Sequence, residues 1–532
     1  MSEWNFADVW DVIAAAIPEH TAIVHGDTRL SWADFHRRAA GVATGLAPEF
    51  GEGTVALMLY NGPEYLETLY AAFMIGVGPV NTNFRYRADE LEQLWSSGDV
   101  RVVVFDSTLG ETVGEVRTRL GSVRTWVCVG PDGPDWAVPY EDWADRDVPP
   151  PAAKRSGDDL FLLYTGGTTG LPKGVMWRQD DMFCNLNGQA LHRYREDTPL
   201  TEIPGLLPDP APVHLAACPL MHGAGSITSM SALSQGGTVV LLPSRSFSAV
   251  EMLETVEAEG VWTIAITGDA IARPLVEALE ADPRRWSLDT VRYIVSSAVA
   301  WSTEVKERIL AQVPGLRLVD TLGASEGFGA GRSVTQNSTR ERSCIGDFLP
   351  GRHTVVLADD GRLVQAGSGE TGVLAVGGRQ PLGYYNDPEA SAEVWKTVDG
   401  VRYAIGGDMA KIEIDGSITL LGRGSSSINT GGEKVYPHEV EAALTAHPGV
   451  RDAAVVGVPN ERFGQAVSAL VELTGDTPPE TEELRAFVRA RLAPYKAPKH
   501  IAVVDTVPRL ANGKLAYQLA RAEAERLFGA KS

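Results

Sequence analysis

Phe161-Leu162-Leu163-Tyr164-Thr165-Gly166-Gly167-Thr168-Thr169-Gly170-Leu171-Pro172-Lys173-Gly174-Val175 is the stretch on which the reading of this chain turns. Its opening apolar run predicts a buried strand. The three threonines and three glycines of Thr165–Gly170 cannot build a core. They offer backbone N–H groups and hydroxyls on a loop that a polyphosphate can approach closely. Lys173 adds a cation, and Pro172 limits how far the loop collapses. The stretch is not a Walker loop, because Leu171-Pro172 separates Gly170 from Lys173 and no adjacent Gly-Lys-Ser/Thr exists. A glycine-rich turn without a ligand would leave both the threonines and the lysine unexplained.

On either side of this loop, short apolar runs alternate with helical spacing. Thr54 to Leu59 and Val100 to Phe105 predict buried strands, with a helix over Glu64 to Met74 between them. Thr238 to Leu242, Trp262 to Ile266 and Val291 to Val295 repeat the pattern around a helix over Ala249 to Glu259. This alternation is that of a mostly parallel sheet covered by helices. From Gly372 onward short strands dominate, including Gly372 to Val376 and Ser417 to Leu421. Gly422-Arg423-Gly424-Ser425-Ser426-Ser427 has the composition of a flexible joint. After it the pattern predicts helices over Pro437 to Ala446 and Thr481 to Leu492, and strands over Asp452 to Val458 and Ala466 to Leu473. The expected fold is α/β: a large N-terminal domain of helix-covered sheets plus a β-barrel-like subdomain (1–422), a hinge (423–427), and a small α+β C-terminal domain (428–532).

Composition narrows the function. The 532 residues exceed what one core supports, which agrees with two or more domains. Asp and Glu number 69 against 47 Lys and Arg, a net charge of −22. Such a surface repels nucleic-acid backbones and anionic lipid. Cys128, Cys184, Cys218 and Cys344 form no CxxC pair and read as isolated thiols. The first residues lack a basic n-region, and no stretch approaches a membrane span. A cytoplasmic protein is expected, with a homodimer left open.

In these motifs the chain resembles the adenylate-forming superfamily of acyl- and aryl-CoA synthetases, peptide-synthetase adenylation domains and luciferase. The matching segments run in family order from about Trp32 to Lys514, and their wording is most similar to actinobacterial fatty-acid and steroid-side-chain ligases. The phosphate loop supplies Thr165, Gly166, Gly167, Thr168, Thr169, Gly170 and Lys173 as ATP contacts. Pro219-Leu220-Met221-His222-Gly223 resembles the histidine segment beside the acyl pocket. Ser296-Ser297-Ala298-Val299-Ala300 resembles the segment lining adenine and the acyl carboxylate, which implicates Ser297 and Ala298. Leu322-Gly323-Ala324-Ser325-Glu326 stands where the family has Tyr-Gly-x-Thr-Glu. The resemblance implies Mg²⁺ on Glu326, with Thr168 as a further candidate ligand, Ser325 on the α-phosphate, and Leu322 and Gly323 beside adenine. Leu322 replaces an aromatic residue that often stacks there.

Gly406-Gly407-Asp408 resembles Thr-Gly-Asp, which implies Asp408 on the ribose hydroxyls with Arg423 assisting. Gly431-Gly432-Glu433-Lys434-Val435-Tyr436-Pro437 matches the segment opening the small domain. There Gly431 and Gly432 would border the path of the CoA pantetheine arm. Ser426 stands at the hinge in place of the usual aspartate or lysine. Pro508-Arg509-Leu510-Ala511-Asn512-Gly513-Lys514 resembles the terminal lysine motif, which makes Lys514 a catalytic residue together with Glu326 and His222.

The implied reaction couples ATP, a carboxylic acid and CoA, with Mg²⁺ as cofactor, through an acyl-adenylate. The alternative is a stand-alone adenylation enzyme that loads a carrier protein. For the acid, small residues at the presumed pocket (Gly225, Gly327 and Gly329, beside His222) predict volume left for a long or bulky apolar chain.

Overall fold

The computed structural model describes residues 3–165, 172–190, 192–297, 301–336, 347–423, 428–430, 433–460, 464–475, 479–492, 494–510 and 513–528. Three sheets organise them. The first has seven strands, in the order Val138–Pro139, Thr125–Val129, Val100–Asp106, Thr54–Met58, Gly78–Asn81, Leu160–Thr165 and Lys173–Arg178. Pairing is parallel throughout except for the last two strands. Strand Thr54–Met58 is buried at every position, as an apolar run covered on both faces must be. Helix Pro63–Met74 follows it, closely matching the predicted segment.

The second sheet has fourteen strands. Its parallel part runs through Thr238–Leu241, Val213–Ala216, Thr263–Ile266, Tyr293–Ser296 and Arg317–Ala324. At Arg317–Ala324 the direction changes, because Gly327–Thr335 turns straight back against it. Antiparallel strands then continue through Asp347–Pro350, Ile418–Arg423, Val401–Ile412, Thr371–Val376 and Thr354–Leu357. The strands expected as a barrel-like subdomain are therefore continuous with the parallel sheet. The turn where the sheet changes character carries Ser325 and Glu326.

The third sheet has five strands and belongs to the small C-terminal domain. Its long antiparallel pair, Val450–Asn460 with Gly464–Leu473, is covered on both faces. Successive side chains alternate sides. Ala453 and Val455 pack with Val440, Leu444, Leu484 and Val488, whereas Ala454, Val456 and Val458 pack with Val507, Ala520 and Ala524. Each fully buried valine contributes about 1.5–3 kcal/mol of burial free energy. Two cores on one hairpin make a stiff platform for whatever is attached to it. In the large domain the main core gathers Trp4, Phe6, Trp10, Phe35, Tyr70 and Phe73 under the N-terminal helices.

Candidate active site

Leu160–Thr165 and Lys173–Arg178 pair so that Thr165 lies opposite Lys173. The strands thus bring the two ends of the phosphate segment together; Gly166, Gly167, Thr168, Thr169 and Gly170 lie outside the described residues. Lys173 Nζ is 3.4 Å from Asp387 Oδ2 and 5.2 Å from the centre of the Tyr384 ring. The Tyr384 hydroxyl donates to Glu326 Oε1 at 2.7 Å. One aromatic side chain therefore joins the lysine of the phosphate segment to the candidate metal-binding carboxylate.

Trp177, on the lysine strand, fastens the same turn from below. Its indole N–H donates to the Ser325 carbonyl at 2.9 Å, and its ring stacks on Phe328 with centres 5.1 Å apart. Leu322, Gly323, Glu326, Gly327 and Asp408 line one recess with Leu374, Val376 and Gly406. Asp408 faces Arg423 directly in the register of Val401–Ile412 and Ile418–Arg423. The acid turn and the acid proposed for the ribose thus open on one space. Ser297 follows strand Tyr293–Ser296, and its N–H reaches the Ile266 carbonyl at 3.4 Å; Ala298 lies outside the described residues.

His222 is held from beneath by two asparagines. Asn81 accepts from Tyr164 N at 2.6 Å and donates to the carbonyls of Tyr164 (2.9 Å) and Met221 (2.7 Å). Asn61 accepts from Leu220 N at 2.8 Å and donates to the Cys218 carbonyl at 3.1 Å. Together they tie the histidine turn to the strand that leads into the phosphate segment. His222 Nε2 is buried and has no hydrogen-bond partner among the described residues. Burial pushes its imidazole down to about 4, and the charges of Arg85 and Lys514 push the same way. The ring is neutral at pH 7, with a buried ring nitrogen suited to a ligand's polar group. Lys514 is exposed on the small domain.

The glycines expected to leave acyl volume have other uses. A Cβ on Gly225 would stand 2.5 Å from the Pro219 carbonyl, so this glycine lets its helix pack on that backbone. A Cβ on Gly327 would meet Val376 at 3.2 Å and Ala404 at 3.3 Å. Gly329 has φ 71°, a left-handed conformation that favours glycine. The argument from small residues to unfilled volume is therefore corrected: the space at 225 and 327 is taken by protein. A separate small cavity lies farther along, between helices Gln179–Gln189 and Gly223–Leu233, beside Leu186, Ala190, Tyr194, Ser231 and Gln235. Ser426, Gly431 and Gly432 lie outside the described residues, and of Arg423 only the backbone is described.

Sequence reading missed Asn61, Asn81, Trp177 and Tyr384. Tyr384 had a faint signal: Gly383-Tyr384-Tyr385-Asn386-Asp387 is an aromatic turn between two motifs, with Asn386 at φ 55°.

This arrangement is that of a nucleotide-binding enzyme made in two parts. The chain belongs to the AMP-binding enzyme family: residues 10–385 match its main model, and residues 439–514 match the AMP-binding enzyme C-terminal domain. It is 38% identical, over 97% of its length and 96% of the relative's, to a medium/long-chain-fatty-acid–CoA/3-oxocholest-4-en-26-oate–CoA ligase of Mycolicibacterium smegmatis. It is 36% identical to the 3-oxocholest-4-en-26-oate–CoA ligase of Rhodococcus rhodochrous, over 97% of this chain and 95% of that one. Among solved structures, the anthranilate CoA ligase AuaEII in complex with anthranoyl-AMP superposes with a TM-score of 0.83 at 21% identity, covering 99% of this chain and 98% of that one. The amide bond synthetase McbA from Marinactinospora thermotolerans gives 0.83 at 22%, covering 97% and 99%. These two establish the shared fold. No described helix is long and apolar enough to cross a membrane.

Proposed function

We propose that the chain is an AMP-forming acid:CoA ligase acting on long-chain or bulky apolar carboxylic acids. The observation that carries the reading is the meeting of Lys173, the Tyr384–Glu326 pair and Asp408 at one site. The acid follows from the relatives, whose names specify fatty acids and a steroid-side-chain acid over nearly the whole chain.

A carboxylate is a poor electrophile, and hydroxide is a poor leaving group. In the first half-reaction a carboxylate oxygen attacks the α-phosphorus of ATP; the bond to the bridging oxygen breaks and pyrophosphate leaves with its electrons. Two anions must approach, so fixed cations lower the barrier. Lys514 neutralises the carboxylate and α-phosphate, and Lys173 the departing phosphates. Asp408 accepts the ribose hydroxyls, and Ser325 contacts the α-phosphate. Glu326 would hold Mg²⁺, its Oε1 already oriented by Tyr384. Among the described residues no three potential metal ligands gather, so Glu326 would hold such an ion together with oxygens of the bound nucleotide. When bound, the ion supplies charge neutralisation to the phosphates.

In the second half-reaction the CoA sulfur attacks the acyl carbon, AMP leaves, and the thiol proton passes to solvent. The small domain turns about 423–427 between the two, withdrawing Lys514 and opening the way past Gly431. The test is AMP release over a panel of acids from acetate to hexadecanoate and steroid-side-chain acids, with and without CoA. CoA-dependent turnover rising with chain length is the expected result. Acyl-adenylate that accumulates and ignores CoA would overturn the choice of acceptor; a peak at acetate would overturn the choice of acid.

A further inference from the structure

We propose that Arg509 is a positioning residue for Lys514: its guanidinium ties the peptide just before the lysine to strand Val450–Asn460 of the small domain, and so sets where the ammonium stands during adenylation. The proposal rests on the role given to Lys514 above. Arg509 Nε and Nη2 each lie 2.7 Å from an oxygen of Asp452. The remaining arm, Nη1, donates to the Gly513 carbonyl at 2.6 Å. A planar guanidinium that uses all three nitrogens this way fixes direction as well as distance.

The anchor is stiff. Asp452 sits on strand Val450–Asn460, whose neighbouring residues enter two cores, and its Oδ1 also accepts from Ala453 N at 2.9 Å. The lysine segment is itself closed: Leu510 N donates to the Lys514 carbonyl at 2.8 Å, and Gly513 N to the Leu510 carbonyl at 2.9 Å. Gly513 has φ 81°, a turn conformation that costs other residues more. A second post stands just beyond the lysine. Tyr517 donates to Glu441 Oε2 at 2.9 Å, and Glu441 Oε1 accepts from Val455 N at 2.9 Å. Lys514 is therefore held on both sides to the same strand.

Magnitudes separate this role from ordinary stabilisation. The Arg509 and Asp452 side chains are 36% and 20% exposed, and a bidentate pair so placed also stabilises the small domain, an effect that would weaken both half-reactions alike. Displacing a catalytic charge by about 1 Å costs on the order of a hundredfold in rate.

The experiment uses the full chain and measures the half-reactions separately: acid-dependent pyrophosphate exchange, and acyl-CoA formation from supplied acyl-adenylate. Arg509→Met should lower adenylation kcat about a hundredfold, with KM for ATP and thioester formation each within about threefold of wild type. Arg509→Lys keeps the charge but not the fork, and should recover only part of the loss. Tyr517→Phe removes one hydroxyl, leaves the core in place, and should lower adenylation alone, by less. Equal loss in both half-reactions, full recovery by lysine, or unchanged adenylation in Arg509→Met would each overturn the proposal. Lys514→Ala run alongside separates the two readings: if it too leaves adenylation intact, the role given to Lys514 fails with it.

Discussion

At the scale of single residues, the site depends on side chains that touch no substrate. Tyr384 fixes one oxygen of Glu326 and lies under Lys173. A hydrogen bond to a charged group contributes about 1.5–3 kcal/mol. Tyr384→Phe should therefore lower adenylation kcat/KM for magnesium-ATP about tenfold to a hundredfold, with thioester formation from supplied adenylate nearly unchanged. Steady-state kinetics over a magnesium titration reads this, and an unaltered ATP profile would detach Tyr384 from the site. His214 gives a different kind of prediction. It is buried between Thr263 and Thr228, with its ring nitrogens 2.8 and 3.0 Å from their hydroxyls. Burial pushes it down from 6.5 to about 4. A histidine with a lowered folded pKa keeps its stability contribution above pH 6.5 and loses it as pH falls through 4. The loss is about 3 kcal/mol at its limit. Urea unfolding at pH 7 and 4.5 should show wild type losing more stability than His214→Gln; equal losses would mean the imidazole protonates without unfolding. None of the bracing contacts was legible in the sequence. Asn81 acts on backbone 83 and 140 residues away, and Trp177 on a carbonyl 148 residues away. Such contacts leave no local pattern.

At the scale of elements, much of the fold was legible, because buried parallel strands are apolar runs bounded by turns. Thr54–Met58, Thr263–Ile266 and the small domain's long hairpin fall within a few residues of their predicted limits. The junction of parallel and antiparallel strands was not legible, since it depends on which neighbour Gly327–Thr335 selects. The packing beside Gly225 and Gly327 was not legible for a related reason: a glycine in sequence does not reveal whether protein or ligand fills its missing side chain. Helix Gly223–Leu233 offers a better guide. Its 11 residues rise about 16 Å from His222 toward the cavity at Ser231 and Gln235. An acyl chain lying along it with its carboxylate at the histidine end would reach that cavity only if long. Ser231→Trp should therefore depress kcat/KM for hexadecanoate strongly while sparing octanoate. Gly329→Leu is a poorer probe, because φ 71° strains any side chain there whatever the acid. Equal loss on both acids would move the chain out of this cleft.

At the scale of the whole molecule, one site must perform two incompatible tasks. Adenylation needs a cation against the carboxylate, and thioester formation needs that place cleared for a thiol. On the function proposed above, the tasks are separated by placing Lys514 on a domain with its own cores. A stiff platform lets the lysine move as one body with Arg509, Asp452 and Tyr517 rather than by local rearrangement. Gly422, at φ 100°, brings its backbone close to His438, where a Cβ would stand 3.2 Å from the histidine Cβ. A side chain there would crowd the joint. The proposed division of labour gives Lys514 the first half-reaction and Gly431 the second. Gly431→Trp tests that division directly. Indole bulk beside the pantetheine path should leave acid-dependent pyrophosphate release within a few-fold of wild type, because the adenylating arrangement does not use that face. Acyl-CoA output should fall at least a hundredfold, and acyl-adenylate should accumulate on the enzyme to near one equivalent, read by quenching and chromatography. Normal acyl-CoA output would take Gly431 off the route of the thiol. Loss of pyrophosphate release as well would mean that the same face serves both steps, and that the small domain does not alternate.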